Sequence, residues 1–168
     1  MQRLDTEFVR QQFPAFSEPS LEGFAHFENA GGTYACGQMI ESLNRFYREL
    51  KVQPHYGFEP SHHGGVEMAR ARQRMAAWLN VKENEVHFGP STSQNTYVLA
   101  QALRQHLNPG DEVIVTNQDH EANIGAWRRL EAEGMVIREW QVNPETAELE
   151  TADLEALLNN RTRVVAFT

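Results

Sequence analysis

Ile40, Leu43, Phe46, Tyr47 and Leu50 recur at three- and four-residue intervals, which predicts one apolar stripe of a helix after the Gly31-Gly32 turn. Met68, Ala71, Met75, Trp78 and Leu79 repeat the pattern. Leu99, Leu103 and Leu107, with Val98 and Ala102 beside them, predict a third helix, closed by Asn108-Pro109-Gly110. A fourth is expected from Glu121 to Glu133, stopped by Gly134. Between the helices lie short apolar or alternating runs at 85–88, 112–116, 135–140 and 163–168, which read as strands.

Strands separated by helices imply βαβ units and a mainly parallel sheet covered on both faces, so the expected class is α/β. The stretch from His55 to Gly65 carries Gly57, Pro60 and the Gly64-Gly65 pair, with three of the seven histidines. It reads as one long irregular segment, and loops of that length are often functional. The last expected strand coincides with the end of the chain, whereas a parallel strand normally feeds another loop and helix. The expectation is a sequence that stops within its architecture, leaving an open edge at 163–168 and a poorly soluble fragment.

Composition narrows the function classes. At 168 residues with 40% apolar content the chain can bury a core of ordinary domain size. A formal charge of −8 disfavours a grip on nucleic-acid backbone. The single cysteine, Cys36, forms no internal disulfide, and the polar start from Met1 to Arg10 is no secretory signal. The expected partners are therefore small molecules or proteins, with no nucleic acid, no membrane span and a cytoplasmic location.

Three segments could carry chemistry. Phe88-Gly89-Pro90-Ser91-Thr92-Ser93-Gln94-Asn95 reads as a strand passing through a small-residue turn into a helix. Free N–H groups, the positive end of the helix dipole and several hydroxyls suit a phosphate dianion, but Ser91 with Gln94 equally makes a capping box. Asp119-His120-Glu121-Ala122-Asn123 follows the strand at 112–116. A histidine there can face a ligand at the carboxyl edge of the sheet, stack on a planar ring or move a proton. It can also be a surface histidine at a helix start, with Asp119 and Glu121 as helix-end charges. Glu28-Asn29-Ala30-Gly31-Gly32-Thr33 reads as a strand end entering a glycine turn, where the backbone can approach a ligand or take positive φ. His55, His62 and His63 lack metal-ligand spacing, so no metal site is expected.

Taken in order, Phe27-Glu28-Asn29-Ala30-Gly31-Gly32-Thr33, Gly89-Pro90-Ser91-Thr92-Ser93 and Asp119 to Trp127 resemble the N-terminal motifs of class V aminotransferases and cysteine desulfurases. These are enzymes of fold type I that depend on pyridoxal 5'-phosphate (PLP). The resemblance covers essentially the whole chain and is most similar to the cysteine-desulfurase-like branch. It implies that Thr92 and Ser93, with the Ser91 backbone, grip the PLP phosphate, and that His120 stacks on the pyridine ring as a catalytic residue. It also implies that Asn29, Ala30 and Gly31 lie beside the substrate, with His55 near a family histidine in the corresponding loop. By the same resemblance, residues 1–35 form an N-terminal segment with a small-domain helix and the substrate-side turn. Residues 36–168 form a partial PLP-binding large domain. The substrate class is a small amino acid, and the full-length form is a homodimer.

The sequence departs from the family in its lysine, aspartate and cysteine. The family's Schiff-base lysine and pyridine-nitrogen aspartate fall beyond the strand that ends this chain, and neither Lys51 nor Lys82 matches the lysine. Cys36 does not correspond to the family's nucleophilic cysteine and reads as a small buried or half-buried residue. The 168 residues alone are therefore expected to be inactive. A non-catalytic remnant acting as a binding or dimerisation module is the alternative. A nucleotide-phosphate binder is a third reading, but it lacks a Walker lysine and a G-x-G-x-x-G fingerprint.

Overall fold

Three parallel strands in the order β2-β1-β3 organise the second half of the chain: β1 (Glu112–Thr116), β2 (Val136–Trp140) and β3 (Thr162–Ala166). They belong to a computed structural model that describes residues 4–168. Residues 1–3 of the expected N-terminal segment lie outside the described residues. The chain forms two units, Met1–Val86 and His87–Thr168.

In the second unit α4 (Thr92–Arg104) precedes β1, α5 (Glu121–Arg128) links β1 to β2, and α6 (Thr151–Leu157) links β2 to β3. Every residue of β1 is buried, the mark of a central strand covered on both faces. Ala100, Val113, Val115, Ile124, Trp127 and Leu130 form the heart of its core. The α5 helix continues as a 3-10 turn, Arg129–Glu133, and stops at Gly134 with φ 93°, a left-handed conformation glycine adopts without strain. The chain moves from β1 to one side and then crosses back over β1 to β3. Right-handed crossovers therefore set α5 and α6 on opposite faces and make the carboxyl end of β1 a switch point where ligands gather.

At the opposite end of β1, Glu112 is buried, accepts from Asn159 Nδ2 (2.8 Å) and Arg138 Nη1 (3.2 Å), and forms an ion pair with Arg161, whose Nη2 lies 2.8 Å from its Oε1. The register shifts between Glu112 and Val113, which pair with Thr162 and Val164 and leave Arg163 over; its guanidinium meets Asp111.

The first unit contains α1 (Thr6–Gln11), α2 (Gly37–Arg45) with a π turn over Phe46–Leu50, and α3 (Glu59–Leu79). Leu50 and Ala76 are its buried apolar residues among those described, whereas Met39, Ile40, Leu43, Phe46, Met68 and Trp78 stay exposed. The core allowed by composition is thus concentrated in the second unit.

Three expectations are corrected. Residues 85–88 form no strand: Glu85 ends a 3-10 turn and 86–88 run without a pairing partner, Phe88 being exposed. The segment from His55 to Gly65 is irregular only to Phe58, because Pro60 occupies the first turn of α3, where its missing N–H is no loss, and Gly64 and Gly65 are buried inside that helix. The strand end expected before the Gly31-Gly32 turn is also unpaired, and neither glycine takes positive φ. The helices α1 and α6, short and weakly periodic, were not expected from the apolar pattern.

Candidate functional site

The start of α4 is built by Ser91. Its backbone is extended, its Oγ accepts from the Gln94 N–H at 3.2 Å, and its carbonyl accepts from Asn95 N–H at 2.9 Å. The second of these is the first regular bond of the helix; the first satisfies one of the orphan donors at the helix start and leaves the N–H groups of Thr92 and Ser93 without backbone or side-chain partners among the described residues. Both residues are exposed. The capping reading and an anion-binding reading are therefore compatible, since the cap uses Gln94 and leaves the two residues before it free.

His120 caps α5. Its Nδ1 accepts from the Ala122 N–H at 2.9 Å. A nitrogen that accepts carries no proton, so the neutral ring bears its hydrogen on Nε2. Ser93 and His120 line the same cleft, of ≈ 330 Å³, together with Tyr97, Gly125, Ala126 and Arg129. The spacing could have revealed these additional residues. Tyr97 lies four after Ser93 on α4, and Gly125 and Arg129 continue the face that begins at Glu121.

Asp119, immediately before the cap, has both carboxylate oxygens engaged. Oδ1 accepts from the His120 N–H at 2.6 Å; Oδ2 accepts from Asn123 Nδ2 at 2.6 Å and from the Thr168 hydroxyl at 3.0 Å. This is a richer role than the helix-end charge expected from sequence, and its signal was absent because Thr168 is 49 residues away.

Asn29, Ala30, Gly31 and His55 lie in the first unit. The Gly31 N–H donates to Glu28 Oε1 at 3.0 Å, and His26 Nε2 is 3.0 Å from the Gly32 carbonyl. Asn29 lines a small cleft with Phe13, His26 and Tyr34, while Ala30 and Gly31 are exposed. His55 has φ 69°, and its ring lies against Gly65 of α3. Cys36 is half-buried at the start of α2. Among the described residues no three His, Cys, Asp or Glu side chains gather as metal ligands, and no helix is long and apolar enough to cross a membrane.

The donor set suits PLP in two respects: unpaired N–H groups and hydroxyls at the start of a 13-residue helix for a phosphate, and an imidazole on the same cleft for a flat ring. The expected class, α/β with a parallel sheet flanked by helices, is shared by solved cysteine desulfurases. The apo enzyme from Thermococcus onnurineus NA1 superposes with a TM-score of 0.84 at 20% identity, over 98% of this chain and 40% of that one. A C-DES mutant with glycine covalently linked to the PLP cofactor gives 0.74 at 23%, over 93% and 39%.

Among curated relatives, the chain is 33% identical to the aminotransferase-like protein FGM3 of Gibberella zeae, covering 96% of this chain and 40% of that protein. It is 30% identical to a cysteine desulfurase of Serratia proteamaculans, over 96% and 41%. The chain thus spans about 40% of the length of the curated relatives it matches. Residues 25–168 match the family model for aminotransferase class-V, and the chain belongs to that family of enzymes.

Proposed function

We propose that this chain supplies the phosphate grip and the ring-facing histidine of a PLP-dependent enzyme that acts on a small amino acid, of the cysteine-desulfurase kind. The observation that carries the reading is the shared cleft of Ser93 and His120, next to the carboxyl end of a buried parallel strand. Thr92 and Ser93 would hold the phosphate through their N–H groups and hydroxyls, with the Ser91 backbone beside them. His120 would lie against the ring, its orientation fixed by the Ala122 N–H, with Nε2–H free to donate toward bound substrate or cofactor. PLP, when bound, supplies an electron sink for a developing carbanion. Asn29, Ala30, Gly31 and His55 are assigned to the substrate side, and residues 1–35 and 36–168 to the small-domain segment and the large domain. The whole enzyme is read as a cytoplasmic homodimer.

Neither Lys51 nor Lys82, the two lysines of the sequence, matches the position of the Schiff-base lysine in the family the chain resembles. The 168 residues alone are accordingly assigned no turnover, because covalent capture of the cofactor needs an activated lysine at the site.

The test is titration of the chain with PLP, followed by fluorescence and by the cofactor's absorbance. Saturable binding weakened by Thr92→Ala with Ser93→Ala, and by His120→Ala, is expected. Binding that these variants leave unchanged would refute the site, and sulfide or alanine released from cysteine by the chain alone would refute its inactivity. The exposed Met39, Ile40, Leu43 and Phe46 on α2 and its π turn favour a second reading, a dimerisation module without catalysis. It requires a mass by light scattering that rises with concentration.

A further inference from the structure

We infer that Asp119 is a positioning residue that fixes the orientation and tautomer of His120. The inference rests on the proposed function only for what the ring faces. Asp119 is half-buried and fully committed: its N–H donates to Thr116 Oγ1 at 3.0 Å at the end of β1, and its oxygens take the three donors described above. The Asn123 amide is held from both sides, Nδ2 donating to Asp119 while Oδ1 accepts from Trp127 Nε1 at 3.2 Å, and Trp127 is a buried core residue. The Thr168 hydroxyl, two residues past β3, donates to Asp119 and lies 3.4 Å from Asn123 Nδ2 as acceptor. One carboxylate thereby ties the carboxyl ends of β1 and β3 and the first turn of α5 into a closed circuit anchored in the core.

The consequence for His120 is geometric. Its backbone N–H is held at 2.6 Å by Asp119 Oδ1, with φ −68° and ψ 142°, the extended conformation from which its Nδ1 meets the Ala122 N–H. Release of the first bond frees the second, and the ring can then rotate and exchange tautomers. A carboxylate is required because both of its oxygens must accept. In Asp119→Asn the amide presents NH2 either to the His120 N–H or to the Asn123 donor, two donors facing each other.

The experiment uses the full chain with 15N-labelled histidine, observed by long-range 15N–1H correlation at alkaline pH above the ordinary imidazole range. His120 is assigned by the signal lost in His120→Gln, and exchange of the Ala122 amide is followed in parallel. The wild-type ring is expected as a single Nε2–H tautomer. Asp119→Asn is expected to give a mixture, with Ala122 exchange faster by about fivefold or more, the scale of losing one helix cap. A merely structural Asp119 would lower the melting temperature and leave the tautomer alone. A mixed or Nδ1–H wild-type ring overturns the inference, as does an Asp119→Asn protein with unchanged tautomer and exchange. If that variant does not fold, Thr168→Val decides, since it removes one donor from Oδ2: a smaller shift of the same sign supports the role, and no shift overturns it. None of these readouts needs PLP, so a chain that fails to bind PLP refutes the proposed function while the tautomer still decides for Asp119.

Discussion

Asn159 Nδ2 lies 2.8 Å from Oε2 of Glu112, a carboxylate only 1% exposed at the head of the central strand. The Asn159 hydrogen bond is the largest influence holding the Glu112 carboxyl below its ordinary value of 4.5. Arg138 and Arg161 add to it, and burial works against it. A folded-state pKa below the unfolded one contributes stability that is fully present above the unfolded value and is lost as pH falls through the folded value. Thermal stability followed from neutral pH down through the carboxylate range is expected to drop, with Glu112→Gln flattening that drop. An equally steep drop in Glu112→Gln would assign it to other carboxylates.

The turn before α4 separates two roles within three residues. Ser91→Ala removes the hydroxyl that caps Gln94 and is expected to lower stability by about 1 kcal/mol. Thr92 and Ser93 cap nothing among the described residues, so their double alanine variant is expected to unfold within about 0.5 kcal/mol of wild type while weakening PLP binding. Urea titration beside cofactor titration resolves the pair. Equal loss of stability in both variants would mean that the turn is structural throughout.

Gly89 and Asn95 are coupled across the same turn. A Cβ at Gly89 would run into the Asn95 side-chain amide, so Gly89→Ala requires that amide to swing away. A loss of about 1 kcal/mol is expected, within the range for local overpacking. Asn95→Ala should remove most of it in the double variant, and a double-mutant cycle reads the coupling directly. Additive losses would place the glycine's role in backbone conformation instead.

The second unit was largely legible because its patterns are local. The run at 112–116 is apolar and bounded by turn residues, Gly134 punctuates the end of the helical stretch, His120 sits where strand, turn and helix succeed one another, and Ser91 stands as the cap that opens a helix. What was missed depends on pairing at a distance. The 85–88 run has strand composition but no neighbour to complete a ladder, and Asp119 looked like a helix-end charge until Thr168 and Asn123 closed around it. The start of α3 was hidden by Pro60 and Gly64-Gly65, which read as loop residues although Pro suits a first helical turn and the glycines suit close packing.

The His55 turn offers the sharpest test of how the first unit holds its candidate substrate-side histidine. Ser61 is fully buried; its hydroxyl donates to the Gln53 carbonyl at 2.6 Å and accepts from the Tyr56 N–H at 2.7 Å, while its carbonyl accepts from the His55 N–H at 3.3 Å. One side chain therefore clamps both flanks of a residue held at φ 69°, a conformation uncommon for residues other than glycine, although histidine adopts it more often than most. Ser61→Ala strands one backbone acceptor and one donor and is expected to destabilise the unit by about 1–3 kcal/mol. Gly65→Ala acts on the opposite side, since its Cβ would come 2.7 Å from His55 Nδ1 and displace the ring without touching the clamp. The two variants thus separate backbone from ring. If this chain is part of a longer amino-acid enzyme and His55 serves its substrate side, Gly65→Ala in that enzyme raises KM for the amino acid at little loss of stability, whereas Ser61→Ala lowers stability and KM follows only as the turn loosens. Steady-state kinetics beside thermal melts distinguish them, and a Gly65→Ala enzyme with unchanged KM would remove His55 from the substrate side.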